Sequence, residues 1–473
     1  MAAQTLPPGP QAARNIVQIL QLMRNFQTDM LGYVSRNFAH YGGIWKIEAG
    51  KEVQYMISEP VLIQEVLVKH ADKFEKSSDY KNTEKGLARF LGNGLVTSDG
   101  DFWKRQRKLV APAFHTKRIE AYAQTMVDAT QGMLERWRGQ TTLDIDDEMM
   151  HVTLQIVVKT LFNKDISAEA KRIGDAMSAL QELVGNNSMT EAFLPIWVPT
   201  PQRARSKKAV RDLDEIVYRL IADWRKEGKD NGDLLSMLML TRDDDDNGMN
   251  DKQVRDEAVT LFLAGHDTTA NTLNWTWYLL AQNPEVEAKL HHEIDTVLAG
   301  NLPTLTDLRR LPYAEMVIKE SMRLFPPAYF FGRVAVEDVE LGDYKVPKGT
   351  GIGVSSYSVQ RDPRWWDEPE AFRPERFSPE NAENIRKYSY IPFGGGPRVC
   401  IGNSFAMMEA HLMLVMIAQR YQMRLSPGQV VTPNPLLTMK PKGGLPMRLE
   451  ERETSRSYPV TSHQLENSAA AAL

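Results

Sequence analysis

Apolar and polar residues alternate one by one through residues 44–57, on either side of Gly50-Lys51. That is the period of a strand with one face on a core, and it predicts a hairpin. Further along the period lengthens. Apolar residues recur at three- and four-residue spacing through 61–74, 118–137, 147–162 and 168–184, which predicts four helices that each bury one face. The longest stretch of this kind, 252–282, meets no proline until Asn283-Pro284 and spans about 45 Å at 1.5 Å per residue, enough to cross a whole core. Asp251 stands where a helix cap belongs. Shorter strand-like pieces follow Pro326, and proline- and glycine-rich turns crowd 347–397. There is no internal repeat and no break in composition that divides two folding units. The pattern predicts a mainly α protein with small β-sheets. From Arg452 the chain is polar and runs into the alanines 469–472, which is read as a tail, disordered or appended.

The middle of the long helix breaks its own pattern. Leu263-Ala264-Gly265-His266-Asp267-Thr268-Thr269 places two threonines and a glycine among bulky residues, and the glycine alone weakens a helix by about 1 kcal/mol. Leu261, Ala264, Gly265, Thr268 and Thr272 share one face, so the small side chains open a shallow groove. The Thr268 hydroxyl can bond the Ala264 carbonyl four residues back, which leaves room for a water, and Asp267 supplies a neighbouring acid. His266 turns away from this face and reads as a packing or hydrogen-bonding histidine.

Composition sets limits more than it directs. With 42% hydrophobic and 25% charged residues the chain can bury a sizeable core, and a net charge of -4 gives no ground for a nucleic-acid partner. The first thirty residues hold no apolar run of the roughly twenty residues that cross a bilayer, so the expectation is a cytoplasmic protein with no membrane span. Asp243-Asp244-Asp245-Asp246-Asn247-Gly248 imitates the start of a calcium loop, but its twelfth position is Val254, which leaves a solvated loop. One cysteine in 473 residues excludes an intrachain disulfide. That cysteine, Cys400, lies in Phe393-Gly394-Gly395-Gly396-Pro397-Arg398-Val399-Cys400-Ile401-Gly402, a glycine-rich loop entering a helix. Unpaired N–H groups and the positive end of the helix dipole favour a thiolate there, and glycines without Cβ atoms let a flat cofactor come close to the backbone.

The ordered set Phe393, Gly396, Arg398, Cys400 and Gly402 resembles the haem-binding loop of the cytochrome P-450 superfamily, the haem-thiolate monooxygenases. The groove sequence is similar to the oxygen-activating motif of the same superfamily, which implies that Thr268 orients water at bound dioxygen, that Asp267 relays protons and that Ala264 lies on the cofactor. Glu320 and Arg323 match the Glu-x-x-Arg pair, and Pro374-Glu375-Arg376-Phe377 matches the segment whose arginine joins it, which implies a structural network of Glu320, Arg323 and Arg376. Trp103 and Arg107 match the Trp-x-x-x-Arg element; with Arg333 and Arg398 they are the implied contacts of the haem propionates. The resemblance implies one large haem-centred domain of the cytochrome P-450 fold over residues 1–451, followed by the tail 452–473. It implies haem b as cofactor, with iron held by the Cys400 sulfur, and insertion of one oxygen atom of O2 into a C–H bond. Leu6-Pro7-Pro8-Gly9-Pro10 is similar to the hinge behind the membrane anchor of microsomal relatives, here without an anchor before it, as in soluble bacterial members.

Phe90, Leu91, Leu261, Ala264, Ala328 and Phe330 are the expected pocket lining, an apolar set for a lipophilic substrate. The resemblance is nearest to fatty-acid hydroxylases, and Lys51 with Tyr55 is the expected anchor for a carboxylate; terpenoids, steroids and aromatic compounds stay open. No flavin or iron–sulfur module fits after Cys400, so a separate ferredoxin or flavodoxin with its reductase must deliver electrons, and Lys104, Arg105 and Lys108 are the candidate docking charges. A monomer is expected. The rival readings are a peroxide-driven haem enzyme, against which the Asp267-Thr268 pair argues, a non-catalytic haem sensor, and a hydrolase with Cys400 as nucleophile.

Overall fold

The computed structural model describes residues 5–84, 86–162, 172–176, 179, 198 and 200–452. Its axis is the helix Asp251–Gln282, 32 residues that run through the interior. Asn250, not Asp251, caps it: the Asn250 side chain accepts from the Gln253 N–H at 2.9 Å while the Gln253 side chain accepts from the Asn250 N–H at 2.9 Å. Asp251 sits in the first turn instead and pairs with Arg225. Asn283 ends the helix before Pro284. Most residues from Val254 to Leu280 are buried, so this helix has little polar face, as expected of one packed on all sides.

Helices surround it. Ile145–Phe162 and Pro201–Glu227 lie against its length, and Pro312–Leu324 and Asn403–Arg420 meet it further on. Their apolar faces form two large clusters: Trp277, Leu280, Met413 and Ile417 belong to one, and Phe90, Val157, Leu220 and Phe262 to the other. The hairpin Ile44–Ala49 and Glu52–Ile57 is antiparallel and pairs Ile44 with Ile57. It continues into a five-stranded sheet through Gly351–Ser355, Phe330–Ala335 and Phe74–Lys76, where only the pairing of Glu52–Ile57 with Gly351–Ser355 is parallel. Three smaller sheets complete the chain, the largest joining Thr142–Asp144, Pro446–Glu451 and Tyr421–Leu425.

Two helical expectations are interrupted. In 61–74 the α-helix Pro60–Gln64 widens into a π turn, Glu65–Lys69, and Phe74 opens a strand, because Phe74, Glu75 and Lys76 pair with Phe330–Ala335. In 118–137 the helix breaks at Tyr122 into Thr116–Ala121 and Ala123–Arg136. Of 168–184 only 172–176 and 179 are described, all helical, and the remainder of that expectation lies outside the described residues. The calcium-like loop is a clip. Asp243 accepts from the N–H groups of Asp245 and Asn247 and pairs with Arg105 at 2.6 Å, and Asp244 pairs with Lys108 at 2.5 Å. Arg452, where the tail was expected to begin, pairs with Asp295 at 2.6 Å and donates its N–H to the Arg420 carbonyl; residues 453–473 lie outside the described residues. Among the described residues no helix is long and apolar enough to cross a membrane.

Candidate active site

Where the central helix passes the cysteine loop the packing opens into a cavity of about 350 Å³. Leu261, Ala264, Gly265, Thr268, Thr269 and Thr272 form one wall, and Phe393, Gly394, Gly395 and Cys400 the wall opposite. Thr268 donates to the Ala264 carbonyl at 2.6 Å, and Thr269 and Thr272 bond back four residues in the same way. Gly265 has a second reason to be small: a Cβ there would sit 3.1 Å from Val157 of the neighbouring helix. Asp267 does not reach the cavity. It is 1% exposed, and its carboxylate accepts from the Thr438 hydroxyl and from Asn271 at 3.2 Å. His266 is buried against Phe262.

Cys400 opens into the cavity but is otherwise enclosed. Its N–H donates to the Phe393 carbonyl at 3.0 Å, and Gly402 caps the helix that follows. Burial pushes the thiol above its ordinary range, outweighing the Gly402 N–H and the Arg107 guanidinium that pull it down. Burial therefore opposes the ionised sulfur more than the helix start favours it. The glycines divide their work. Gly396, at φ +68°, would drive a Cβ into the Leu67 carbonyl oxygen beneath the loop, whereas Gly394, at φ +72°, has open space. Close packing under the loop demands the first, and only the second leaves the approach free for a flat group.

Cations flank the sulfur on one side. Lys76 and Arg333 stand directly opposite each other on antiparallel strands, and both line the cavity. Like charges in that register repel. Burial lowers both pKa values, that of Lys76 well below the usual lysine range with Arg333 and Arg398 adding to it. Neither pairs with an acid among the described residues, and Asp99, the carboxylate acting on both, is held by Arg398 and by Lys81 at 3.3 Å. Arg398 lies over the Trp103 ring at 4.2 Å, and Arg107 lines the cavity near Cys400. A planar group with a metal at its centre and carboxylates at its edge fits these residues: the sulfur would hold the metal, and Lys76 with Arg333 would hold the anions.

Beneath the loop Arg323 and Glu320 are both 0% exposed. Arg323 Nε and Nη2 each donate to Glu320 at 2.7 Å, and the remaining donors go to the carbonyls of Gln360, Pro369 and Ala371. Arg376 donates to Glu320 at 3.2 Å. Gln360, which sequence reasoning missed, carries this network towards the cysteine. Its side-chain N–H groups donate to the Met322 and Arg323 carbonyls, and its Oε1 accepts the Ile391 N–H at 2.9 Å. Ile391 in turn accepts from Gly394. Glu409 also escaped notice: it is fully buried behind Thr269, and burial pushes its carboxyl up to about 8.

Several expected positions lie elsewhere. Phe90 and Leu91 are buried in the helical core, and Phe330 packs against Met56 and Gly353 on the sheet, so Leu95, Val96 and Phe331 take the cavity positions beside Leu261 and Ala328. Alternation explains the last exchange, because neighbouring strand residues face opposite sides. Lys51 is exposed at the hairpin turn, and Tyr55, 1% exposed, donates to the Lys345 carbonyl at 3.1 Å; neither lines the cavity. Lys104, Arg105 and Lys108 are paired with Asp101, Asp243 and Asp244, which leaves little free charge for docking.

The sulfur, the small-residue groove, Lys76 and Arg333 all line this one cavity. The chain belongs to the cytochrome P450 family, whose profile matches residues 7–446. It is 37% identical to cyclooctatin synthase of Streptomyces melanosporofaciens over 84% of this chain and 87% of that protein. It is 35% identical to cyclooctat-9-en-7-ol 5-monooxygenase of the same organism (82% and 84%) and 33% identical to pentalenene oxygenase of Streptomyces avermitilis (94% and 97%). The family's cofactor is haem b, and the chain is a P450 monooxygenase acting on lipophilic compounds.

Gln360→Leu keeps the bulk but strands the Ile391 N–H and two carbonyls, at about 1–3 kcal/mol for each orphaned group. The expected result is a lower melting temperature and, under carbon monoxide, a larger share of reduced protein without the red-shifted thiolate band. A variant with an unchanged spectrum would disconnect Gln360 from the sulfur. Gly396→Ala is expected to abolish haem incorporation, read as the ratio of haem to protein absorbance, while Gly394→Ala, strained only by its φ, retains part of it.

Proposed function

We propose that this chain hydroxylates a neutral cyclic terpenoid, with Cys400 as the residue that would hold the haem iron and electrons from a separate redox protein. The observation that carries the reading is the Cys400 sulfur opening, across the cavity, onto the groove of Ala264, Gly265 and Thr268. Haem bound there supplies oxygen activation and the attack on the C–H bond. The residues supply placement. Lys76 and Arg333 would hold the carboxylates of the cofactor, with Arg398 over the Trp103 ring. Thr268, its own proton given to the Ala264 carbonyl, presents oxygen lone pairs that hold a water at the groove. Asp267 stands behind it tied to Thr438 and Asn271, so its part in proton supply requires that contact to open.

The terpenoid takes precedence over a fatty acid for two reasons. Neither expected carboxylate anchor reaches the cavity, whose walls at Leu95, Val96, Leu261, Ala328 and Phe331 are apolar. The relatives named above are called after a cyclic olefinic alcohol, pentalenene and cyclooctatin.

Reduced protein under carbon monoxide is expected to show the far red-shifted band, and Cys400→Ala to lose it; a band retained in the variant overturns the ligand assignment. With electrons supplied by a ferredoxin system, Thr268→Ala is expected to consume electrons with little product while its ferric spectrum stays unchanged. Turnover supported by peroxide and not by the electron donor favours the peroxide-driven reading instead.

A further inference from the structure

Asp99 stands at the cap position of the helix Gly100–Val110, where an aspartate ordinarily accepts from an N–H of the first turn. Its side chain makes no such bond. One carboxylate oxygen accepts the Lys76 N–H at 2.9 Å, and the other pairs with the Arg398 guanidinium, which also donates to the Ser98 carbonyl at 3.1 Å. The Asp99 side chain is 8% exposed and does not line the cavity, whereas Lys76, Trp103, Arg107 and Arg398 all do. A helix cap is given up, and one acid ties three pieces of the cavity wall together: the strand Phe74–Lys76, the helix that carries Trp103 and Arg107, and the cysteine loop. The tie to the helix is short. The Trp103 N–H donates to the Asp99 carbonyl at 3.2 Å, and Arg398 lies over the Trp103 ring.

The same acid sets the charge. Asp99 acts on Lys76, Arg333 and Arg398 together. Glu75, the other acid near Arg398, pairs with Lys81, and Arg107 interacts with the Cys400 sulfur instead. Asp99 therefore offsets one of these three cations and leaves the charge of two, which equals the number of carboxylates that haem b carries. We propose that Asp99 is a positioning residue that matches this side of the cavity to its cofactor: by holding Arg398 it leaves Lys76 and Arg333 for the two carboxylates, and so it sets the reduction potential of the bound haem. This rests on Lys76 and Arg333 as the residues that would hold those carboxylates. Anions beside Lys76 favour its charged form against burial. An unbalanced positive charge near a redox centre favours the electron-richer state, so loss of Asp99 raises the potential and loss of a cation lowers it.

The test is a redox titration of the holoenzyme followed by its absorbance, with the carbon monoxide band of reduced protein as the check that thiolate ligation is intact. Asp99→Asn keeps an acceptor for the Lys76 N–H and drops the charge, and its midpoint potential is expected to become more positive. Asp99→Glu is expected to stay at the wild-type midpoint. Lys76→Met is expected to become more negative, and the double variant Asp99→Asn, Lys76→Met, which again carries the charge of two cations, to return near wild type. A bond at Asp99 that served stability alone would lower the melting temperature and leave the midpoint in place. An unchanged midpoint in Asp99→Asn overturns the proposal, as does a shift in the same direction in Asp99→Asn and Lys76→Met. If Asp99→Asn takes up no haem the double variant decides: haem uptake with a wild-type midpoint upholds the balance, and a shifted midpoint or no uptake overturns it. An unchanged midpoint in Lys76→Met overturns the reading of Lys76, while the shift in Asp99→Asn still decides on Asp99.

Discussion

The guanidinium of Arg323 has five N–H donors and all five are used, in a place that water does not reach. Such a charge is costly to bury, and a well-packed apolar substitute is often no less stable, so the pair with Glu320 is a device of specificity more than of stability. What it specifies is the path of the chain through 360–371. Three carbonyls must converge on one planar group, and one of them belongs to Gln360, whose side chain then fixes Ile391. From Ile391 the backbone bonds run to Gly394 and from Phe393 to Cys400. The position of the sulfur is thus set from below, by a buried ion pair, before any ligand arrives above it.

The central helix solves a different difficulty. Its middle is weak by composition, yet it has to remain straight beside a cavity that gives no packing on that side. Tertiary contacts make up the difference. Gly265 lets Val157 come close, Asn271 and Thr438 hold the Asp267 carboxylate, and Asn274 donates to Asp146 at 2.6 Å. The hydroxyls that face the cavity turn inward to helix carbonyls, which keeps the wall effectively apolar despite its threonines.

Local pattern made much of this legible. The hairpin, the span of the central helix and its small-residue face follow from spacing alone, and Cys400 stands out because no other cysteine competes with it. What spacing could not reveal depends on distant partners. Lys104, Arg105 and Lys108 read as a free basic patch until Asp243 and Asp244, well over a hundred residues away, fold back on two of them. Lys76 is an ordinary lysine in sequence and becomes significant only when strand pairing sets it against Arg333. Phe330 and Phe331 are equivalent as letters, and the phase of the strand decides which one meets the cavity. At Cys400 the helix start that the sequence shows favours ionisation, and burial, which only the fold shows, opposes it.

Electrostatics gives the site a consequence for folding. The chain by itself holds an enclosed thiol whose ionisation burial opposes, and two opposed cations, Arg333 buried and Lys76 partly buried, that form no ion pair among the described residues. Each is unfavourable alone. A metal held by the sulfur would relieve the first, and carboxylates of the same cofactor held by Lys76 and Arg333 would relieve the second. Anything that binds only the folded chain stabilises it in proportion to its affinity. A cofactor held by these residues would therefore also contribute folding free energy, around Phe74–Lys76, Phe330–Ala335 and the cysteine loop. The ion pair at Arg323 fixes the loop through Gln360 and Ile391, and a cofactor held by Cys400, Lys76 and Arg333 would leave the sulfur one place to be.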